Sequence, residues 1–164
     1  MRFLLVVAII ALTVSAQEAN GGEKIAAAAK SMVNKYPYSW SGGNDNGPTY
    51  GSKMPYSPYC DDRKVVGFDC CGLSKYSVYQ GTGHSVCHGV KCQYDNCKKR
   101  VPVGERQAGD LLFYARGNDF YHVTIFVGGG QMVEAEGHNG CKGIPMRLTN
   151  VRTTNLVSHA CRMW

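Results

Sequence analysis

Apolar residues recur along this chain first with a helical period and later by alternation. Between Glu23 and Lys35, Ile25, Ala26, Ala29 and Val33 form an apolar stripe among good helix formers, and Pro37 follows; the pattern predicts a helix ending before that proline. From Tyr38 to Gly67 neither period is present, and Gly, Asn, Pro and Tyr dominate. This predicts an extended loop, and loops of that length in compact domains commonly carry function. Leu73, Tyr76, Ser77 and Gln80 then recur at spacings of three and four. They predict a second helix over Cys70 to Tyr79, capped by Asp69 and stopped by Gly81 and Gly83. A cysteine-containing loop is expected as far as about Ala108. Strands are expected at Leu111 to Ala115, Val123 to Val127 and Gln131 to Ala135, the last two joined by Gly128-Gly129-Gly130 as a hairpin. A final strand near Leu156 to Met163 closes the sheet. Helices first and antiparallel strands after them predict an α+β domain, with helices on one face of the sheet.

The N-terminus changes the picture by setting a compartment. Arg2 precedes an apolar stretch from Phe3 to Val14, and Val14-Ser15-Ala16 reads as a small-residue cleavage signal before Gln17. Residues 1–16 are expected to be a secretory signal peptide and 17–164 a single domain, secreted and extracellular. The apolar stretch is well short of the roughly 20 residues a membrane-spanning helix needs, so no membrane partner is expected. About 150 residues remain, enough for one core.

The net charge of +6 favours anionic surfaces through long-range attraction. Eight cysteines, at 60, 70, 71, 87, 92, 97, 141 and 161, are expected to form disulfides in an oxidising compartment. If one of them is a free nucleophile, at least one more is unpaired or bonds between chains, and Cys71, beside Cys70 on its helix, is the first candidate. Cys141 with Cys161 is a plausible tie of the C-terminus. Cys87, Cys92 and Cys97 would staple the long loop, with Cys60 as a further partner to consider. A zinc set of Cys87, His88, Cys92 and Cys97 competes with that pairing, but its spacing is irregular.

Chemistry enters at Asp69-Cys70-Cys71-Gly72 and at Tyr121-His122-Val123. A cysteine in the first turn of a helix gains about 0.3–1 kcal/mol for its thiolate from unpaired N–H groups and the helix dipole. Bringing a thiol from near 8.5 to below 7 needs about 2 kcal/mol or more, so an imidazolium partner is required, and His122 at a strand end can supply it. The imidazole in turn needs an orienting acceptor. Glu134 and Glu136 both share the parity of His122 across the hairpin, and either carboxylate would serve. His84 and His138 lie among loop glycines and are expected to be exposed.

The segments YSWSGG, FDCCGLSKYSVYQGTG, AGDLLFY and YHVTIFVGGGQMVEAEG, in this order and spacing, resemble the NlpC family of cell-wall cysteine peptidases. The resemblance implies a circularly permuted papain-like fold. It implies hydrolysis of an amide bond in the stem peptides of bacterial peptidoglycan, commonly between D-γ-glutamate and the following diamino acid. A monomer acting on peptidoglycan is expected, with no nucleic acid partner, no metal and no organic cofactor. The family cysteine falls on Cys70, its base on His122, and its third polar member, 12 residues beyond the histidine, on Glu134, which favours Glu134 over Glu136. Substrate contacts implied by the family fall on Tyr38 and Asp69, and on Cys71, which stands where a serine is usual. The usual Arg-Thr or Arg-Ser pair after the nucleophile helix is replaced by His88-Gly89, which puts an anion contact there in doubt.

Overall fold

The computed structural model describes residues 21–57, 59–137, 141 and 143–164. The expected signal peptide and His138 lie outside them. Residues 21–31 form helix α1, whose apolar stripe is buried at Ile25, Ala26 and Ala29. The helix stops four residues earlier than its pattern predicts. Asn34 adopts a left-handed φ of 61° and gives its N–H to the carbonyl of Met146 at 2.8 Å, a tertiary bond that competes with another helical turn.

A two-stranded ribbon, β1 (Thr49–Tyr50) with β2 (Val66–Gly67), interrupts the long loop. Helix α2 spans Cys70–Thr82. Its N-cap Asp69 accepts from Gly72 N at 2.7 Å, and Gly83, at φ 74°, ends it by donating its N–H to Tyr79 O. That left-handed cap suits glycine, which has no Cβ to clash. Where a loop was expected, a short helix α3 (Val90–Asp95) and strand β3 (Lys99–Pro102) are present.

The main sheet contains β3, β4 (Leu111–Arg116), β5 (Asp119–Gly128), β6 (Gln131–Glu134), β7 (Arg147–Asn150) and β8 (His159–Arg162) in the order β3-β8-β4-β5-β6-β7, with every pair antiparallel. Both faces of its centre are buried. Leu111, Phe113, Val123, Ile125, Val133 and Ala135 pack with the helices, while Leu112, Tyr114, Phe126 and Met132 form a second cluster with Val101 and Ala160. Each of the Val, Leu, Ile, Phe and Met side chains among them contributes about 1.5–3 kcal/mol when removed from water.

Three disulfides are formed, Cys60–Cys141, Cys87–Cys92 and Cys97–Cys161, leaving Cys70 and Cys71 unpaired. The expected Cys141–Cys161 tie is therefore wrong. Cys161 lies on β8, inserted between β3 and β4, whereas Cys141 follows β6, so β4, β5 and β6 separate them. Cys60 closes no bond with the 87–97 loop. Its bond spans 81 residues, and a closure of that size removes about 4 kcal/mol of unfolded-chain entropy.

Candidate active site

The site forms where the start of α2 meets the head of β5. Asp69 fixes the helix start by capping Gly72, and the YSWSGG segment crosses directly over it. Ser41 N donates to Asp69 Oδ2 at 3.2 Å, Asp69 N donates to Gly42 O at 3.0 Å, and a side chain at Gly72 would collide with that same carbonyl. Nearby, Trp40 N is held by the buried Asp62 at 2.8 Å. Cys70 thus starts a helix whose N-terminal geometry is fixed by its own cap and a neighbouring strap. Its thiol, 9% exposed, sits among the unpaired N–H groups of the first turn.

On the sheet, β4 and β5 pair Tyr114 with His122, but the next pair is Ala115 with Phe120. Tyr121 is the extra residue of a bulge, a device that twists a strand and re-aims the side chain beside it. His122 Nε2 bonds Glu134 Oε2 at 2.9 Å, and its ring lies 5.8 Å from that of Tyr114, tilted by 39°. With Nε2 engaged, Nδ1 is the ring nitrogen left for the sulfur of Cys70, which lies close enough for each group to act on the protonation of the other.

Glu134 is fully buried and held by more than the histidine. Arg147 Nε donates to its Oε1 at 3.0 Å, and Arg152 donates to Oε1 and Oε2, each at 2.8 Å. Glu136 is not the partner of the imidazole; it pairs with Arg147 and with Arg152 at 3.7 Å. The two arginines escaped sequence reasoning. Arg147 lies in a short strand with little alternation and Arg152 just beyond it, and their contacts with Glu134 span 13 and 18 residues. An acidic pair followed by two arginines was the only signal that could have suggested them.

These contacts set the protonation states. Cys71 Sγ lies 3.8 Å from Cys70 Sγ. The Cys70 thiol is lowered to about 5 by the hydrogen bond from Cys71, against the cost of burial, with the bond and charge of His122 adding to the effect. Cys71 is pushed far upward by its bond to that sulfur and by burial, so it stays a thiol and a donor. Burial would depress His122, but its bonds to Cys70 and Glu134 override this and raise it to about 9. Burial would likewise raise Glu134, and the bonds from His122 and Arg152 hold it down at about 2. Between those limits the group is a thiolate, an imidazolium and a carboxylate. Such an arrangement can attack a carbonyl, protonate a leaving amine and then activate water.

Tyr38 is 6% exposed, with its ring against Gly137 and Gly143. Burial, and then the charges of the nearby Cys70 and Asp69, raise its hydroxyl above the ordinary range. His88 Nε2 stands 2.8 and 2.9 Å from the two oxygens of Asp69. It is no zinc ligand in a cysteine set, because Cys87 and Cys92 bond each other and Cys97 bonds Cys161. His84 is exposed.

The family model for the NlpC/P60 family matches residues 35–159. The chain is 37% identical over 126 residues to the peptidoglycan endopeptidase RipA of Mycobacterium tuberculosis, an alignment covering 77% of this chain and 24% of that protein. The chain thus spans about a quarter of that relative's length. Solved structures of the resuscitation promoting factor interacting protein RipA, mutated at a cysteine, a histidine or a glutamate, match with 32% identity and TM-scores of 0.73–0.75. They cover 88–89% of this chain and 62–63% of theirs. The mutated histidine and glutamate are 12 positions apart, the separation of His122 from Glu134. A third match, at 26% identity and a TM-score of 0.72, covers 88% of this chain and 98% of RipD from Mycobacterium tuberculosis, described as a non-catalytic NlpC/p60 domain protein adapted to peptidoglycan binding.

Proposed function

The chain belongs to the NlpC/P60 family, and on that premise we propose that it is a secreted, bacteriolytic cysteine endopeptidase acting on the stem peptides of bacterial peptidoglycan. The favoured bond is the amide between D-γ-glutamate and the diamino acid after it. The observation that carries this reading is an unpaired sulfur at a helix start, facing an imidazole whose other nitrogen is held by a buried carboxylate. A binder of wall fragments has no evident need for that charge arrangement, although RipD illustrates that the fold can host one. Three disulfides support an oxidising, extracellular setting. Among the described residues no helix is long and apolar enough to cross a membrane.

In this mechanism the Cys70 thiolate attacks the amide carbonyl, and the backbone N–H of Cys70 donates to the developing oxyanion. His122, already protonated, gives its proton to the departing amine nitrogen. The resulting thioester is hydrolysed by a water that His122 deprotonates, which releases a carboxylate and restores the thiolate. Glu134 keeps the imidazole oriented and stabilises its positive charge. Tyr38, Asp69 and Cys71 border the sulfur, and Asp69 receives the free amino terminus of an L-Ala-D-γ-glutamyl stem.

The test is digestion of purified peptidoglycan and of defined muropeptides by the protein and by Cys70→Ala, with new ends identified by mass spectrometry. The expected result is a new amino group on the diamino acid, and loss of that product in the variant while sedimentation with the wall persists. Unchanged lysis by Cys70→Ala rejects the mechanism. A new end at D-Ala instead moves the reading to the crosslink amidase, the alternative within the same chemistry.

A further inference from the structure

His88 is placed by covalent and buried contacts rather than by a regular element. The Cys87–Cys92 bond closes a small ring around it. The fully buried Gln93 then bolts this ring to α2, donating to the carbonyls of Cys71 at 3.1 Å and Cys87 at 2.9 Å and accepting from Ser74 at 2.7 Å. From the α2 side, Lys75 reaches back to Ser85 and to the carbonyl of Val86. The imidazole so fixed meets both oxygens of Asp69, the residue immediately before the nucleophile. Its side chain is 30% exposed and that of Asp69 13%, so the pair borders solvent beside Cys70.

We propose that His88 is a specificity-determining residue that sets, according to pH, how strongly Asp69 attracts a cationic group of the substrate. Protonated, the imidazolium cancels the carboxylate's charge and the site discriminates little between charged and neutral amino termini. Neutral, it keeps its Nε2–H bond but leaves the carboxylate uncompensated, and a cationic terminus is preferred. The proposal rests on the reading above that the stem peptide presents its amino terminus to Asp69. The groups acting on His88 are Asp69, Cys70 and Lys75. The bond to Asp69 holds the proton on, burial opposes it, the charges of Asp69 and Cys70 add to the retention, and Lys75 weakens it. Lys75 is itself paired with Asp45 at 3.2 Å. His88 therefore holds its proton to higher pH than an ordinary histidine, and discrimination rises with pH.

Calorimetry on the full chain carrying Cys70→Ala tests this without turnover, because the variant binds but does not cut. The probes are an L-Ala-D-γ-Glu-diamino acid peptide with an amidinated N-terminus, cationic throughout, and its acetylated, neutral counterpart. Between pH 5.5 and 9 the preference for the cationic peptide should grow about tenfold, equivalent to about 1.4 kcal/mol. Removing the Cys70 thiolate lowers the midpoint without reversing the direction. His88→Gln, which keeps a hydrogen-bond donor without a charge, should fix the preference at its high-pH value, and His88→Lys at its low-pH value. An unchanged pH course in His88→Gln, or no preference for the cationic peptide at any pH, overturns the proposal. Lysis by the unmodified protein is scored separately. A flat preference with lysis intact rejects the role of His88 alone, whereas absent lysis with the pH course intact rejects the enzymatic reading and sustains the His88 device.

Discussion

Two sides of Cys70 are built by different means. On one side His122 and Glu134 stand on adjacent strands of a sheet buried on both faces, and the bulge at Tyr121 and two arginines complete their setting. On the other, His88 rides a loop with a single six-residue helix behind it, anchored by one disulfide and one buried amide. The first arrangement spreads its support over a core, so its geometry outlasts the loss of any one contact while its chemistry does not. The second concentrates its support in two ties, so breaking one displaces the imidazole while sparing the chemistry at the sulfur. Regular elements thus hold the groups that must be placed within a fraction of an ångström, and the stapled loop holds a group whose contribution is electrostatic and tolerates slack.

The widest gap between the two sides should come from His122→Ala. Loss of the base is expected to lower kcat/KM by about four orders of magnitude, in the range seen when one member of a cooperating catalytic set is removed. Alkylation of Cys70 by iodoacetamide at pH 6–7 should slow in parallel, because the imidazolium no longer holds the thiolate. The preference set by His88 should persist in the same variant. A rate within tenfold of the unmodified protein would show that the sheet side does not carry the chemistry.

Glu134→Gln tests the same side more finely. The activity profile is expected to be a bell, falling below pH of about 5 as Cys70 gains its proton and above about 9 as His122 loses the one it must donate. Without the carboxylate the imidazolium loses one of the two contacts that raise it, so the alkaline limb should move to lower pH and the maximum fall about a hundredfold. Stability responds with a defined sign. Glu134 is depressed from 4.5 to about 2, so its contribution is complete above pH 4.5 and disappears as pH falls through about 2. The Gln variant should therefore be less stable than the parent at pH 7, by about 2–4 kcal/mol because two arginines lose their counter-charge, and the difference should shrink towards pH 2. Thermal melts across that window measure it.

The contrast between the two sides also explains what could be read from the chain and what could not. The cap at Asp69, the helix from Cys70, the strands over Leu111–Ala115 and Val123–Val127 and the turn into β6 depend on neighbours in sequence, so propensity and period suffice to find them; β5 begins earlier, at Asp119, which places His122 within the strand beside its bulge and not at its end. Parity alone put Glu134 and Glu136 on the face of His122, and the family resemblance favoured Glu134, which does hold the imidazole; what escaped was its support by Arg147 and Arg152, which arrive from β7 and the segment after it. Strand β3 escaped because Lys99-Arg100-Val101-Pro102 lies at a sheet edge with one buried residue and carries no alternation. The disulfides escaped for a topological reason. Insertion of β8 between β3 and β4 brings Cys161 to Cys97, and nothing in spacing encodes a strand order. His88 was visible only as a departure from a familiar pattern, since its contact with Asp69 depends on the ring closed by Cys87 and Cys92.

Opening that ring probes the loop side directly. In the double variant Cys87→Ser/Cys92→Ser, the closure removed is worth about 2 kcal/mol of unfolded-chain entropy, so the melting temperature should fall by a few degrees. Turnover of a substrate with a neutral amino terminus should change less than about threefold, because Cys70, His122 and Glu134 keep their supports. The pH dependence of cationic preference should flatten, as His88 is no longer held against Asp69. A large loss of turnover instead would mean that the staple also supports the sulfur, and the separation between the two sides would fail.

The smallest effect is expected where the two sides meet, at Cys71. Its thiol lies 3.8 Å from Cys70 Sγ while its carbonyl accepts from Gln93, so one residue touches both the nucleophile and the anchor of the loop. As a weak S–H donor to a charged thiolate, it contributes about 1.5 kcal/mol, the low end for bonds to charged groups, which corresponds to about one pKa unit. In Cys71→Ala the acid limb should therefore rise from about 5 towards 6, costing several-fold in rate at pH 5 and almost nothing at pH 7, where the thiolate is still formed. Cys71→Ser should fall between the two, since the hydroxyl is a better donor on a shorter arm. The carbonyl contact to Gln93 is backbone and survives both substitutions, so the pH course set by His88 should not move. If the acid limb shifts by two units or more, the bond from Cys71 accounts for most of the lowering of the thiol, and the division of labour between sheet and loop has to be redrawn around the helix itself.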